Sequence, residues 1–290
     1  MHGCQYLAYI KTFSCDVTGR WELVKLEHLK TQKRSRPVRL QMMTWPEVEA
    51  YLKTSNGIII PVGSAEQHGP TGFIGTDALC PEIVAEELAK ETNSLIAPTI
   101  SVGMAQHHLG FAGSITLRPT TLISVIGDYV ASLSRHGFER FYFLNGHGGN
   151  IATVKAAFDE IYAESSLGTA RHNRAGVRCV LRNWFECPSV QAIEAEAFGA
   201  ANGSHATAGE VSLTYFAYPD DAARIKSGGK LTPEIAPQGS FYDCEDYRRR
   251  FPDGRIGSDP TLATEDIGAK LRAAAVNDLA ADYRKFLAAD

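Results

Sequence analysis

The chain has 290 residues, an apolar fraction of 44% and a formal net charge of −4. This composition is sufficient for a full hydrophobic core, but it lacks the broad basic field with which proteins bind nucleic acids or anionic membranes. No apolar run approaches the roughly 18 residues of a membrane span, so we predict neither a nucleic-acid partner nor a membrane partner.

The six cysteines are scattered without CxxC spacing, and the first residues lack the pattern of a secretory signal. We therefore expect reduced thiols and a cytoplasmic protein. Residues 1–39 are interpreted as an N-terminal extension of uncertain structure. Residues 40–290 contain no internal repeat and no clear linker, which indicates a single domain.

Helical and strand patterns alternate along this domain, which begins with a capping box at Thr44-Trp-Pro-Glu47. Helices are predicted at about 44–54, 78–91, 121–136, 151–164, 190–198, 206–218 and 262–287. Strands are predicted at about 57–62, 95–101, 114–117, 141–144 and 177–184. Residues 220–260 are predicted to be rich in loops. This alternation is typical of an α/β fold with a mostly parallel sheet that helices cover on both faces.

The loop that follows the first strand carries three candidate metal ligands. Glu66 and His68 stand two residues apart in extended chain, so both side chains leave the backbone on the same side. Asp77 follows at the start of a helix, where the backbone amides favour a negative charge. Carboxylate and imidazole groups are common ligands of divalent metals. The sequence therefore predicts a metal site beyond the carboxyl end of this strand.

A second strand leads into the glycine-rich segment Asn145-Gly-His-Gly-Gly-Asn150. Ligands of parallel sheets bind beyond the carboxyl ends of the strands, so His147 is predicted to reach the same site. The alternative is a helix start that binds an anion through its amides. No Gly-Lys-Ser/Thr follows, which argues against a nucleotide P-loop. His205 and Glu210 form a third element and lie five residues apart across the expected start of a helix.

Taken together, these segments resemble the creatininase (creatinine amidohydrolase) family. The resemblance is carried by Glu66-Gln-His-Gly-Pro70, Thr76-Asp77, Asn145–Asn150, His205–Glu210 and Tyr218-Pro-Asp220, in order and at similar spacing. It extends from about residue 43 to about residue 281. It implies a three-layer α/β/α sandwich, a dinuclear metal centre and a homo-oligomer, often a hexamer.

The resemblance also implies roles for single residues. Glu66 and His147 would bind one metal, His68 would bind the other, and Asp77 would bridge the two. Creatininase has Tyr-Glu where this chain has Gly148-Gly149, and that Glu is a ligand. We therefore hypothesise that Glu210 completes the second site.

Two further sets of residues are predicted to act on the substrate. His205 and Glu210 are predicted to be catalytic, with His205 passing a proton to the departing nitrogen. Substrate-binding positions are predicted at His108, Gly148 and Asn202. Creatininase carries Trp-Asp just before its catalytic histidine, whereas this chain has Ala201-Asn202, so creatinine is not predicted as the substrate.

The sequence thus predicts a metal-dependent amidohydrolase that uses two divalent ions (Zn, Mn or Fe) and a metal-activated water. Its substrate would be a small cyclic amide or formamide-type molecule. Two alternatives remain open at this point. One is a single-metal lyase or isomerase, and the other is a ligand-binding paralogue without turnover.

Overall fold

The computed structural model describes residues 13–15, 21–23, 38–168, 176–228 and 231–289, the first two ranges by their backbone alone. The chain divides into two compact units, Met1–Arg36 and Pro37–Asp290. Within the first unit, β1 (Phe13–Cys15) pairs with β2 (Trp21–Leu23) in antiparallel fashion. Most of the predicted N-terminal extension lies outside the described residues, so the proposed domain boundary stays a prediction.

The second unit is built on a parallel sheet of four strands. These are β3 (Gly57–Val62), β4 (Leu95–Ile96), β5 (Arg140–Asn145) and β6 (Arg178–Asn183), in the spatial order β4-β3-β5-β6. β3 and β5 pair over their whole length, and the last residue of β3, Val62, is opposite the last residue of β5, Asn145. The loops that follow these two strands therefore leave the same edge of the sheet.

Helices connect and cover the strands. They are α1 (Trp45–Leu52), α2 (Thr76–Thr92), α3 (Pro119–Ser134), α4 (Ile151–Ser166), α5 (Pro188–Ala197), α6 (Ala208–Ala217), α7 (Pro219–Gly228), α8 (Cys244–Arg250) and α9 (Glu265–Ala288). None of the helices in the described part of the chain is long and apolar enough to cross a membrane.

Side-chain alternation along the strands assigns the helices to two layers. Ile59 and Tyr142 belong to a core cluster with residues of α2, α5, α6 and α9. Their neighbours Ile58, Ile60 and Phe141 belong to a second cluster with residues of α1, α3 and α4. Since successive residues of a strand point to opposite faces, helices cover both faces of the sheet. The predicted three-layer α/β/α fold is confirmed.

Three predicted elements were wrong in part. The strand predicted at 95–101 ends at Ile96, and the segment predicted at 114–117 forms only a single bridge, between Ile115 and Ala65. The section predicted as loops contains α7 and α8. Pro219 follows the end of α6 and also occupies the first turn of α7, where the missing N–H of proline costs nothing.

Candidate metal centre

Two glycines allow the strand-end loops to approach the start of α2. A Cβ added to Gly63, just after β3, or to Gly146, just after β5, would overlap the backbone carbonyl of Asp77. Because neither glycine has a side chain, both loops pack directly against the first turn of this helix. This packing brings Glu66 and His147 to the carboxylate of Asp77.

The first ligand group consists of Glu66, Asp77 and His147, all buried. Nδ1 of His147 lies 2.9 Å from Oδ2 of Asp77, and Nε2 lies 3.3 Å from Oε2 of Glu66. The ring is held by its Nε2, which donates to the backbone carbonyl of Met104 at 2.9 Å. The Nδ1 atom is therefore the nitrogen available to a metal in the neutral ring, because a carbonyl oxygen can only accept.

The second ligand group consists of His68, Asp77 and Glu210. Nε2 of His68 lies 3.0 Å from Oδ1 of Asp77 and 3.9 Å from Oε2 of Glu210. Nδ1 of His68 donates to the backbone carbonyl of Glu66 at 3.1 Å, which leaves Nε2 for a metal. Asp77 is thus common to both groups and offers one carboxylate oxygen to each.

A capping box holds Glu210 in place. Its Oε1 accepts from the backbone N–H of Thr207, whose hydroxyl in turn accepts from the backbone N–H of Glu210. Since this motif occupies Oε1, Oε2 remains free to face His68. Glu210 in the first turn of α6 is therefore part of the helix cap and is also the residue that reaches the second group.

Two observations fit this cluster to divalent cations. Oε1 of Glu66 and Oδ2 of Asp77 are buried, and neither accepts a well-oriented hydrogen bond from the described residues. The described residues that line the surrounding cavity include no lysine and no arginine. When all three are ionised, the carboxylates of Glu66, Asp77 and Glu210 carry a charge of −3 that no lysine or arginine lining the cavity balances. Divalent cations would supply positive charge here, and the donor set of imidazole and carboxylate suits Zn, Mn or Fe.

The same charges set the protonation of the metal-free histidines. Burial by itself lowers the pKa of His68, but the charges of Asp77 and Glu210 outweigh it and raise this pKa to about 10. Burial also lowers the pKa of His147, but the charges of Glu66 and Asp77 outweigh this effect and raise the pKa to about 9. Without metal, these rings therefore supply the missing positive charge.

The pKa values of the three carboxyl groups shift in different directions. Burial raises the pKa of Glu66, and it also raises the pKa of Glu210, to about 7. At Asp77, burial is outweighed by the charges of His68 and His147, which hold its pKa well below the usual value. The shared carboxylate is thus the one that stays ionised most readily.

His205 and His108 form a third group with Glu66. Nδ1 of His205 lies 3.8 Å from Oε1 of Glu66, and Nε2 of His108 lies 3.0 Å from the same oxygen. Burial, followed by the charge of His68, lowers the pKa values of both rings, that of His108 to about 3. Both are therefore neutral at physiological pH. His108 is almost fully buried, and it lines the cavity in front of the centre.

The cavity in front of the centre has a volume of about 1250 Å³. Gly148, predicted to bind substrate, lies exposed on its wall with open space around the Cα. Asn202 also lines the wall, but its Oδ1 accepts from the backbone N–H of Gly209 and its side chain bonds to Glu194. The amide is therefore already engaged in holding the start of α6.

Sequence reasoning missed three residues of this cavity. Glu194 is a buried carboxylate on α5, and His107 stacks on Phe241 with ring centroids 4.9 Å apart. His107 precedes His108 and could have been noticed as part of a paired histidine motif. No local signal marks Glu194 or Phe241, because only the packing of α5 and of the segment before α8 brings them to the centre.

Comparison with known proteins identifies a family model and several related proteins. The family model described as "Creatininase: Creatinine amidohydrolase" matches residues 41–283. Creatinine amidohydrolase of Pseudomonas putida is 29% identical over 246 residues, which cover 80% of this chain and 90% of that protein. The mycofactocin precursor peptide peptidase of Mycolicibacterium smegmatis is 27% identical over 237 residues, 77% of this chain and 82% of its own.

A solved structure described as "Creatininase Mn" shares the fold, with a TM-score of 0.74 and 23% identity. The similarity covers 87% of this chain and 99% of the solved one.

Proposed function

The chain belongs to the creatininase family, and from that membership we propose that it is a metal-dependent amidohydrolase that cleaves the C–N bond of a small cyclic amide or formamide-type molecule. Its relatives include an amidohydrolase and a peptidase, so hydrolysis is the reaction class that the comparisons support. The similarity to a manganese form of creatininase supports a divalent metal as the cofactor.

One observation carries the proposal of two ions per chain. Asp77 offers Oδ1 to His68 and Oδ2 to His147, and each histidine is accompanied by a further carboxylate. A carboxylate shared between two ligand groups is the arrangement of a bridged metal pair. The hypothesis that Glu210 replaces the missing glutamate is supported by the position of its Oε2 beside His68.

When bound, a metal pair would lower the pKa of a water toward neutrality and polarise the carbonyl of the substrate. The protein's own residues supply proton transfer and shape. Nε2 of His205 lies 2.8 Å from the backbone carbonyl of Gln67, which can only accept, so Nδ1 carries the lone pair. In the proposed reaction, Nδ1 takes a proton from the attacking water and returns it to the departing nitrogen.

Creatinine is not proposed as the substrate. Asn202 is engaged with Gly209 and Glu194, and Ala201 supplies no aromatic wall. The cavity, at about 1250 Å³, also exceeds the roughly 300–1,000 Å³ typical of small-molecule sites. We therefore include short peptides among the test substrates, in line with the peptidase among the relatives.

Metal analysis tests the centre directly. We expect the purified protein to bind about two ions of Zn, Mn or Fe per chain. Asp77→Ala should lose both, whereas His68→Ala and His147→Ala should each lose mainly one. Asp128→Ala, an exposed aspartate on α3, is the matched control and should retain both. A single ion in the parent protein would favour the lyase or isomerase alternative, and none would favour a binding paralogue.

A substrate screen tests the reaction. The metal-loaded protein is assayed against cyclic ureides, creatinine, lactams, formamidopyrimidines and short peptides, with release of amine or formate as the readout. Activity on one of these classes that disappears in His147→Ala supports the proposal. A fully metal-loaded protein that is inactive on all of them contradicts it.

The proposal also includes a homo-oligomer, a hexamer by family resemblance, that acts in the cytoplasm. Light scattering coupled to size-exclusion chromatography measures the oligomeric state. A monomer at micromolar concentration would contradict that part of the proposal.

A further inference from the structure

Gln67 stands between two candidate metal ligands, Glu66 and His68, and contacts His108 and His205, which belong to neither of the two groups that share Asp77. Its amide nitrogen lies 2.9 Å from Nδ1 of His108 and donates to the carbonyl of Gly254 at 3.0 Å. Its amide oxygen accepts from the backbone N–H of Gly69 at 2.8 Å, and its backbone carbonyl lies 2.8 Å from Nε2 of His205. The residue is only 4% exposed, so both ends of the amide are anchored in the protein interior.

These contacts decide which nitrogen of His108 carries the hydrogen. An amide NH₂ has two hydrogens and can only donate. The carbonyl of Gly254 and Nδ1 of His108, at 3.0 and 2.9 Å, are closer acceptors than the hydroxyl of Tyr247 at 3.4 Å and take the two hydrogens. The hydrogen of the neutral His108 ring is therefore on Nε2. A reversed amide is excluded, because its oxygen would face the carbonyl of Gly254 and its nitrogen would face the N–H of Gly69.

His205 has the opposite arrangement. The backbone carbonyl of Gln67 accepts from Nε2 of His205, so Nδ1 of that ring is bare. The amide nitrogen of Gln67 also lies 2.9 Å from this Nε2, but both atoms are donors and share no hydrogen bond. Gln67 thus directs the bare Nδ1 of His205 and the N–H at Nε2 of His108 toward Glu66.

The positions of these hydrogens affect the third ligand group, which Glu66 forms with His108 and His205. Their ligand atoms all lie within 4.8 Å of one another, close enough to hold an ion. A histidine ligand must offer a bare nitrogen, whereas Nε2 of His108 carries its hydrogen 3.0 Å from Oε1 of Glu66.

We infer that Gln67 closes the third group to metal by holding the hydrogen of His108 on Nε2, and thereby keeps Nδ1 of His205 free for proton transfer. Gln67 is in this sense a positioning residue. The inference rests on the proposed metal centre, since it concerns how many ions the cluster accepts.

The tautomers can be measured in the metal-free wild-type protein. Nitrogen-15 NMR of protein labelled at histidine distinguishes a protonated ring nitrogen from a bare one. We expect both His108 and His205 to carry hydrogen on Nε2, with signals assigned through His108→Gln and His205→Gln. A hydrogen on Nδ1 of His108 would overturn the inference, whatever the enzyme's activity.

Zinc binding provides the second test. In Gln67→Glu, studied at a pH at which the new carboxyl group is ionised, the side chain can only accept, so His108 must donate from Nδ1 and Nε2 becomes bare. We expect the variant to bind one more zinc ion per chain than wild type does. Its affinity for zinc at the third group should be at least tenfold higher than that of wild type. Gln41→Glu, at an exposed position, makes the same charge change and should bind as wild type does.

A folded Gln67→Glu protein with the zinc stoichiometry of wild type would contradict the inference. If that variant does not fold, Gln67→Met removes both donor hydrogens without adding charge and should also admit the extra ion, because His108 is then free to adopt either tautomer. Wild-type protein that binds no zinc at all would contradict the proposed metal centre instead, while the NMR measurement would still decide the tautomers.

Discussion

The imidazole of His147 occupies the space in which a side chain at residue 149 would begin. A Cβ added to Gly149 would overlap Nε2 of His147 and would also lie within 2.8 Å of the carbonyl of Met104. The hydrogen bond between that ring and that carbonyl, 2.9 Å long, therefore depends on glycine at residue 149. The position where creatininase carries a metal ligand is here part of the support for a different ligand.

Gly149→Ala should consequently weaken metal binding. The added methyl group must displace the ring of His147 or break its bond to Met104, and loss of such a supporting contact typically costs roughly 10- to 100-fold in affinity. We expect a loss of about that size for the ion held by Glu66, Asp77 and His147, measured by competition with a zinc chelator. Gly148→Ala is the matched control, because a Cβ there meets nothing within 4 Å. Equal affinities of the two variants would contradict this account of Gly149.

Metal binding should release protons. The pKa of His68 is raised to about 10 and that of His147 to about 9 in the metal-free protein, so both rings are protonated at pH 7. A ligand nitrogen must be deprotonated. We therefore expect these rings to release about two protons per chain on loading at pH 7, with a further fraction from Glu210, whose pKa is raised to about 7. Titration calorimetry in buffers of different ionisation enthalpy measures the release. Release of no protons would show that these rings are neutral before metal arrives.

The stability of the metal-free protein should depend on pH for the same reason. Both histidine pKa values lie above the ordinary value of 6.5, so the stabilisation from protonation is complete below pH 6.5 and is lost as pH rises through 9 and 10. We expect the free energy of unfolding of metal-free protein to fall between pH 7 and pH 10. Metal-free His68→Gln should show a smaller fall, and an unchanged pH dependence in that variant would contradict the assignment.

Glu194→Gln should stabilise the metal-free protein at alkaline pH. Burial, followed by the charge of Glu210, raises the pKa of Glu194 from 4.5 to about 7, so the cost of ionising it is absent below pH 4.5 and complete above pH 7. We expect a gain of about 1–3 kcal/mol in the free energy of unfolding at pH 8, and little gain at pH 5. Urea unfolding at the two pH values measures this. Glu196→Gln, exposed on the same helix, should change neither value.

Thr207→Ala should separate helix capping from metal binding. Thr207 caps α6 through the backbone N–H of Glu210, and Thr264 caps α9 in the same way through Ile267. Each substitution to alanine should cost about 1 kcal/mol of stability. Only Thr207→Ala should also weaken the binding of the second ion, because Glu210 belongs to both the cap and the ligand group. A loss of metal affinity in Thr264→Ala as well would point to a general effect of stability.

Much of the fold could be predicted from local patterns. The apolar run Ile58–Ile60 and the helical spacing in α3 were sufficient to place a strand and a helix to within about two residues. The section that contains α7 and α8 was not predicted, because its helices are short and each is held by contacts with other parts of the chain. Tyr247 of α8, for example, is fully buried and packs against His108 and Phe111, more than 130 residues earlier in the chain.

The features of the candidate site likewise fall into those that the sequence predicts and those that it does not. Glu66, His68, Asp77, His147 and Glu210 could be predicted to meet, because they follow strand ends and helix starts that a parallel sheet directs to one edge. The engagement of Asn202 with Glu194, and the contact of His108 with the amide of Gln67, could not be predicted from the sequence. They depend on how far α5 and the loops approach the centre, and no local pattern encodes that distance.

The amino-acid sequence by itself determined the kind of donors available and the edge of the sheet at which they gather, since side-chain chemistry and strand periodicity are local properties. Only the tertiary structure decided which nitrogen of each imidazole faces the centre. That choice is made by the atom at the other side of the ring, the carbonyl of Met104 for His147 and the amide of Gln67 for His108. These partners lie about 40 residues away along the chain, and folding alone brings them into hydrogen-bonding distance.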